Sequence, residues 1–286
     1  MKAVDSAALA ALFQSACLSE LEALKPGNVH IFSDGHGMVL QDFVRSAEAA
    51  SRVIAQADLS VGQRIASAVD ATWEAVACNT NLGIILLCAP LLHAAGQGGG
   101  LREKLADTLQ GLTLADAVDA YRGILQASPG GLGTSAQHDV NATPGVTLLA
   151  AMQAAAGRDR IAWQYGHDFA DIFDFGAARY RATLQRWQRP AWALTSVYLG
   201  FLARFADTHV ARKHGDGAAE ALRKSAELHD QALYGLENPK HYQRALLDFD
   251  VMLKARGINP GTSADLTVAS LLTVELENRM TAVTLS

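Results

Sequence analysis

Apolar residues recur at three- and four-residue spacing along most of this chain, and the apolar–polar alternation typical of strands is scarce. Such spacing places apolar side chains on one face of an α-helix. Four of the seven prolines are followed by glycine, a pair that ends helices and favours tight turns. The sequence therefore predicts an all-α fold whose helices are separated by turns that include Pro26, Pro129, Pro144 and Pro260.

No linker or solenoid repeat divides the chain, so we expect residues 1–286 to form a single compact multi-helix domain with its site at helix-end loops. Half of the residues are hydrophobic and only 19% are charged, which suffices for a large core. Periodicity and capping residues predict helices at about 6–24, 40–57, 61–77, 82–93, 114–127, 144–156, 158–173, 177–187, 191–207, 218–233, 240–256 and 263–280.

Composition also limits the partners that this chain can have. The net charge is −5 and there is no Lys/Arg block, which argues against nucleic acid or an anionic membrane surface. The longest apolar run, residues 83–92, is too short to span a bilayer. Three cysteines without a CxxC spacing indicate reduced thiols, and no secretory signal is visible. We therefore expect a cytoplasmic protein that acts on small molecules, and a homo-oligomer stays an open alternative.

The first polar loop follows the first predicted helix. Pro26 stops that helix and Gly27 favours a type II turn, so Lys25, Asn28 and His30 are held on a defined loop. Together with Asp34 and His36, these groups suit a nucleotide phosphate and its cation, with His30 and His36 as proton-transfer or phosphate-contact candidates. A solvated loop with a stable helix cap is the alternative.

The second polar loop joins two predicted helices in the first third of the chain. Glu74 precedes Asn79, Thr80 and Asn81 by about one and a half helical turns, so a carboxylate and three polar side chains could face one space. Ordinary N-capping explains one such residue but not three in succession. We interpret this loop as part of a binding site.

A glycine-rich loop lies near the middle of the chain. Gly130 and Gly131 would let a phosphate approach the backbone closely, and Asp139 follows as a candidate metal ligand. Loop flexibility alone also explains these glycines, and no Walker motif is present.

The last two polar loops lie at a helix C-terminus and at a helix N-terminus. Cations near a C-terminus are as often dipole partners as phosphate contacts. Amides at a helix N-terminus favour an anion, although Ser or Thr there also serves as a cap. Because five polar loops interrupt an otherwise apolar helical chain, we expect them to meet in one cleft. The residues proposed from these two loops are Asp207, His209, Arg212, Lys213, Gly261, Ser263 and Asp265.

The ordered motifs of these loops resemble those of the triphosphoribosyl-dephospho-CoA synthase family over most of the chain. The resemblance implies an all-helical fold, the use of ATP and magnesium, and transfer of the triphosphoribosyl group of ATP to the ribose hydroxyl of dephospho-CoA, with release of adenine. It rests on Glu20 with Lys25-Pro26-Gly27-Asn28-Val29-His30, on Glu74 with Asn79-Thr80-Asn81-Leu82-Gly83, on residues 128–133 with Asp139, on Asp207-Thr208-His209-Val210 with Arg212, and on residues 259–265.

The implied reaction needs a carboxylate near the sugar, a base for the hydroxyl and donors around the triphosphate. Glu74 or Asp34 is the expected catalytic carboxylate and His30 the expected base. The expected magnesium ligands are Asp34, Asp139 and Asp207. The expected ATP contacts are Lys25, Gly27, Asn28, Asn79, Thr80, Asn81, Gly130, Gly131, His209, Arg212, Lys213, Gly261, Ser263 and Asp265.

One motif departs from the family pattern. Family members commonly carry His and Lys where this chain has Asn81 and Leu82. This departure leaves open a second interpretation, a transferase or ligase-like step in the biosynthesis of a folate-like or furan-type one-carbon cofactor. A third alternative is a helical nucleotide-binding or scaffold protein without catalytic activity.

Overall fold

Fourteen α-helices, a π-helix and a 3-10 turn make up the described residues, 2–128 and 138–282, of the computed structural model. These ranges contain no strand, and the prediction of a single compact all-α domain is confirmed. A π-helix covers Asp171–Ala177 and a 3-10 turn Pro239–Tyr242. The helices are α1 (Ser6–Glu22), α2 (Leu40–Ile54), α3 (Val61–Val76), α4 (Leu82–Gln97), α5 (Leu101–Gln110), α6 (Leu114–Ala127), α7 (Leu148–Ala155), α8 (Arg160–Gly166), α9 (Ala178–Trp187), α10 (Pro190–Arg204), α11 (Thr208–His214), α12 (Asp216–Tyr234), α13 (Gln243–Ala255) and α14 (Gly261–Ala282).

The structure differs from the sequence prediction at four helices. The predicted helix 158–173 ends as α8 at Gly166 before the π-helix, and α11 (Thr208–His214) was not predicted. Helix α5 was not predicted, because the preceding glycines favour a connector; its Leu101, Leu105 and Leu109 are buried at four-residue spacing. Helix α7 begins at Leu148 rather than at Pro144, since the side chain of Thr147 accepts a hydrogen bond from Ala150 N–H and caps it.

Helices α4 and α14 form the centre of the larger hydrophobic core, and most residues of both are buried. The hydroxyls of Thr267, Ser270 and Thr273 on α14 donate to backbone carbonyls four residues earlier, which satisfies polar groups inside the core. No single described helix is long and apolar enough to cross a bilayer, and only α4 and α5 together, bent by 113°, reach that length and apolarity.

A second hydrophobic cluster, built mainly from α10, α12 and α13, supports the loop that follows α1. Tyr198 on α10 donates a hydrogen bond to the carbonyl of Pro26 at 2.7 Å. Gly27 has a φ of +87°, and a Cβ atom there would lie 2.9 Å from Pro260 Cδ. The turn after α1 is therefore packed directly against the loop that begins α14.

Candidate active site

Ends of several helices and the loops between them enclose a cavity of about 430 Å³. Its wall contains both acidic and basic side chains, with an apolar region beside them. This arrangement places residues from all parts of the chain around one space, as the polar loops predict. The polar lining residues are Glu20, Asn28, His36, Asn79, Thr80, Asn81, Tyr121, His138, Asp139, Arg158, Asp159, His209, Arg212, Lys213, Asn259 and Asp265.

Asp265 lines the cavity and has other carboxylates close to it. It lies in the second turn of α14, and no hydrogen bond joins its carboxylate to another group of the described residues. Burial raises the pKa of Asp265 well above its usual value, and the neighbouring carboxylates of Asp207 and Glu20 raise it further. A cationic ligand beside Asp265 would relieve this repulsion.

Gly83 at the start of α4 makes room for Asp265. A Cβ atom at Gly83 would lie 2.0 Å from Asp265 Oδ2 and 2.7 Å from Ile161 Cδ1. No real side chain fits at that separation, so only glycine allows the carboxylate to approach the N-terminus of α4, where backbone amides favour negative charge.

We therefore expect Gly83→Ala to displace the Asp265 carboxylate and to lower the rate of the catalysed reaction at least about tenfold, since small misplacements of a catalytic group are costly. The free energy of unfolding should fall by about 1–3 kcal/mol, as in other overpacked sites. Steady-state kinetics and urea denaturation test this. Gly145→Ala, where an added Cβ has no neighbour within 4 Å, is the control, and equal rates in the two variants would contradict the prediction.

A buried chain of hydrogen bonds connects α1 to the loop before α14. Lys25 Nζ forms an ion pair with Glu20 and donates to Asn28 Oδ1 at 2.9 Å. Asn28 Nδ2 in turn donates to Asn259 Oδ1 at 2.8 Å. Lys25 is only 1% exposed and does not line the cavity, whereas Glu20 and Asn28 do. In this structure Lys25 positions these two side chains instead of meeting a phosphate itself.

His30 also lies beneath the cavity wall and not on it. Its buried imidazole Nε2 is 3.4 Å from Asp250 Oδ1 on α13. The same carboxylate oxygen accepts a hydrogen bond from Gly27 N–H at 2.8 Å and forms an ion pair with Lys254 Nζ at 3.1 Å. The base role predicted for His30 therefore has no route to a substrate in this arrangement, while Asp250 emerges as the anchor of the loop.

Asp250→Asn should destabilise the protein by about 2–4 kcal/mol, because a buried cation and a backbone amide lose a charged acceptor. Burial alone would raise the pKa of Asp250, but His30, Gly27 and Lys254 hold it below its usual value. A depressed native pKa means that the stabilisation is present above about pH 4 and is lost as the pH falls through the native value.

Urea denaturation at pH 7.5 and at pH 3 measures this difference. The difference in the free energy of unfolding between wild type and Asp250→Asn should be smaller at pH 3. A difference that does not change with pH would show that the charge of Asp250 does not anchor the loop. Asp248→Asn, an exposed carboxylate on the same helix, is the matched control.

The basic wall of the cavity comes from α11. His209, Arg212 and Lys213 line the cavity, and Arg212 Nη1 lies 2.5 Å from Asp159 Oδ2. Burial, together with the positive charges of Lys213 and Arg212, lowers the pKa of His209 to about 3. A Cβ atom at Gly261 would lie 2.3 Å from His209 Nδ1, so the imidazole packs against the start of α14. The structure thus presents two cations and a neutral imidazole together.

Asp207 and Asp34, two of the predicted site carboxylates, lie outside the cavity wall. Asp207 is fully buried and accepts from His209 N–H, Val210 N–H and both the amide and hydroxyl of Ser263. It therefore caps α11 and fixes α14, and Ser263 likewise serves this contact. Asp34 is exposed and accepts from Leu40 N–H at 2.8 Å at the start of α2.

Glu74 is exposed on α3 and lies outside the cavity wall, so the carboxylate role predicted for it does not fit this arrangement. Among the described residues, no group of three or more His, Cys, Asp or Glu side chains is arranged to hold a metal ion. Of the predicted magnesium ligands, Asp139 alone lines the cavity. Gly130 and Gly131 lie outside the described residues.

The Asn79–Asn81 loop lines the cavity, but its side chains are also engaged locally. Asn79 Oδ1 accepts from Leu82 N–H at 3.1 Å and so caps α4, as the capping alternative predicts for one residue. Thr80 donates to Ser46 Oγ at 2.6 Å. Asn81 Nδ2 donates to Thr72 Oγ1 at 3.1 Å.

Sequence reasoning missed Tyr121, Arg158 and Asp159, which also line the cavity. Asp159 accepts from Ile161 N–H and Ala162 N–H and therefore caps α8. An acidic residue before a helix is the signal of an ordinary cap, and only the position of α8 beside α11 brings this cap to the site.

Comparisons with known proteins agree with this architecture. No curated protein sequence matches the chain significantly. A solved structure from Archaeoglobus fulgidus, provisionally described as a triphosphoribosyl-dephospho-CoA synthase, shares the fold with a TM-score of 0.61 and 21% identity, covering 83% of this chain and 98% of that one. The family model described as "CitG: ATP:dephospho-CoA triphosphoribosyl transferase" matches residues 6–283. This chain therefore belongs to the CitG family of ATP:dephospho-CoA triphosphoribosyl transferases.

Proposed function

We propose that the cavity binds ATP with its triphosphate against α11 and its ribose beside Asp265. The family is one of transferases that use ATP and dephospho-CoA. The observation that carries the finer assignment is the presence of both charges in one cavity, which is lined by the acidic Glu20 and Asp265 and by the basic Arg212 and Lys213. A triphosphate joined to a sugar that becomes cationic during transfer is complementary to that distribution.

The reaction breaks the bond between the ribose anomeric carbon and adenine and forms a bond from that carbon to the acceptor oxygen. Positive charge develops on the sugar ring, and a carboxylate beside it stabilises the transition state. We assign this role to Asp265 in place of Glu74 or Asp34, because it lines the cavity and accepts no hydrogen bond from the described residues.

The acceptor hydroxyl must lose a proton, and the departing adenine must gain one. We assign the first task to His209 in place of His30, because His209 lines the cavity and its low pKa keeps it neutral. A bound triphosphate would raise the pKa of His209 and improve it as a base. The proton that adenine takes up comes from solvent, so the reaction balances.

Magnesium fits this site as a partner of the triphosphate. Mg²⁺ in nucleotide sites is usually held by one or two carboxylates together with phosphate oxygens and water. Asp139 is the predicted ligand that lines the cavity, and we propose that it contributes the carboxylate. When bound, the ion would neutralise part of the triphosphate charge.

Release of free adenine tests the proposed function. Purified protein, ATP and magnesium should yield adenine only when an acceptor is added, and chromatography separates adenine from the nucleotide. If no adenine forms with dephospho-CoA or with a panel of other hydroxyl acceptors, and ATP does not protect the protein against melting, the assignment is wrong.

A different acceptor is the second candidate, and one observation favours it. Where the family commonly has His and Lys, the Asn81 amide bonds to Thr72 within the protein and Leu82 supplies an apolar side chain to the cavity wall. A precursor of a folate-like or furan-type one-carbon cofactor would then replace dephospho-CoA. Adenine release with such a precursor, and none with dephospho-CoA, would establish this alternative.

A further inference from the structure

One wall of the cavity is apolar, and a single face of α7 supplies much of it. Leu148, Ala151, Met152 and Ala155 all line the cavity, at spacings of three, four and seven residues from the first. These spacings place the four side chains on one stripe along the helix. Seven residues at the α-helical rise give this stripe a length of about 10 Å.

The opposite face of α7 meets solvent, so the stripe is the cavity-facing side of an amphipathic helix. Gln153 and Ala154 are exposed, whereas Leu148, Ala151 and Met152 are buried. An apolar face normally packs against other apolar side chains. Leu148 and Met152 also belong to the larger hydrophobic core, but all four side chains line the cavity of a site that must bind two substrates, and two of the four are alanines that leave room.

The apolar region reaches the reaction centre at the start of α8. Ile161 lines the cavity and its Cδ1 lies 2.7 Å from the position of a Cβ at Gly83, while Asp265 Oδ2 lies 2.0 Å from the same position. Ile161 and Asp265 therefore meet at Gly83. A molecule that lies along the apolar wall has one end beside the carboxylate assigned to the sugar.

We propose that this apolar stripe holds an uncharged, largely apolar part of the acceptor that extends about 10 Å along it. This inference rests on the proposed function, since it takes the acceptor hydroxyl to react beside Asp265. The triphosphate is excluded from the stripe because its four lining side chains carry no donor and no charge. A single purine ring would cover only part of the length, whereas an extended acceptor covers it all.

Blocking the stripe should weaken acceptor binding while sparing ATP. In Ala151→Phe and Ala155→Phe the added ring fills the cavity beside Met152. We expect KM for dephospho-CoA at saturating ATP to rise at least tenfold, and the Kd for ATP alone, measured by calorimetry, to stay within twofold of wild type. Ala154→Phe adds the same ring on the exposed face of the same helix and should change neither value.

A probe that is independent of the reaction separates this inference from the proposed function. Anilinonaphthalene sulfonate, an apolar aromatic body with one anionic group, should fluoresce when it binds wild type and Ala154→Phe, and at least fivefold less with Ala151→Phe and Ala155→Phe. Tripolyphosphate should not displace it. Circular dichroism confirms folding, and the two stripe variants provide independent tests.

Three outcomes would overturn the inference: unchanged probe binding in both stripe variants, a loss of ATP affinity equal to the loss for the acceptor, or the same effects in Ala154→Phe. Absence of adenine release with dephospho-CoA would count against the proposed function alone, because the probe still reports on the stripe. The inference is supported if the stripe variants bind the probe more weakly than wild type and if another acceptor with an apolar part of this length is found to react.

Discussion

Asp265→Asn should lower the rate of adenine release by about 10²- to 10⁴-fold, the range typical of removing a charged group that acts in the transition state. The amide keeps the size of the side chain but loses the negative charge that we place beside the developing sugar cation. Binding of ATP should change much less, since we place the triphosphate contacts on α11. Single-turnover kinetics and calorimetry measure the two quantities separately.

The pH profile gives this prediction a second readout. Because the pKa of Asp265 is raised by burial and by Asp207 and Glu20, kcat/KM of the wild type should rise with pH as Asp265 ionises. That limb of the profile should be missing in Asp265→Asn. A residual rate above one tenth of wild type, or an unchanged acidic limb, would show that another carboxylate faces the sugar.

Asp265→Asn should make the protein more stable although it makes the enzyme less active. A carboxylate whose native pKa is raised binds more protons in the folded state, so its contribution to stability declines as the pH rises from about 4 through the native pKa. Asp265→Asn removes this penalty and should melt at a higher temperature than wild type at pH 8. Asp216→Asn, which removes an exposed carboxylate from the first turn of α12, should leave the rate unchanged and should not raise the melting temperature.

The sequence identifies the loops of the site more reliably than the role of each side chain. Pro26 and Gly27 mark the first loop because their backbone preferences are local properties. Whether Lys25 and His30 face the cavity or the interior depends on their partners Glu20 and Asp250. Asp250 also accepts a hydrogen bond from the amide of Gly27, which lies 223 residues away in sequence. No local sequence pattern predicts a partner that is so distant in the chain.

The same limit explains the carboxylates. Asp265 and Asp207 both lie in polar motifs. The carboxylate of Asp207 accepts four hydrogen bonds from donors on α11 and α14, whereas the carboxylate of Asp265 accepts no hydrogen bond from the described residues. Glu74 precedes the Asn79–Asn81 motif in sequence, yet its position on α3 exposes it to solvent. Residue type and spacing therefore predict the cleft, and only the hydrogen-bond partners decide which acids remain available for chemistry.

Arg212→Gln should weaken ATP binding by about 2–3 kcal/mol, which is roughly a 30- to 150-fold increase in Kd. Arg212 lines the cavity, and its position is set by Asp159, which also caps α8. Its Nε is buried with no partner among the described residues, so a phosphate oxygen would satisfy a donor that is otherwise unpaired.

Tripolyphosphate distinguishes a phosphate contact from a general effect on folding. Its Kd should rise by the same factor as that of ATP in Arg212→Gln, and adenosine, which lacks phosphates, should bind equally to variant and wild type. Arg212→Lys should restore only part of the affinity, because an ammonium group cannot reproduce the planar fork of the guanidinium. Lys224→Gln makes the same change of charge at an exposed site on α12 and should leave the affinity for tripolyphosphate unchanged. Equal losses in the two glutamine variants would mean that the protein attracts the triphosphate through its overall charge and not through α11.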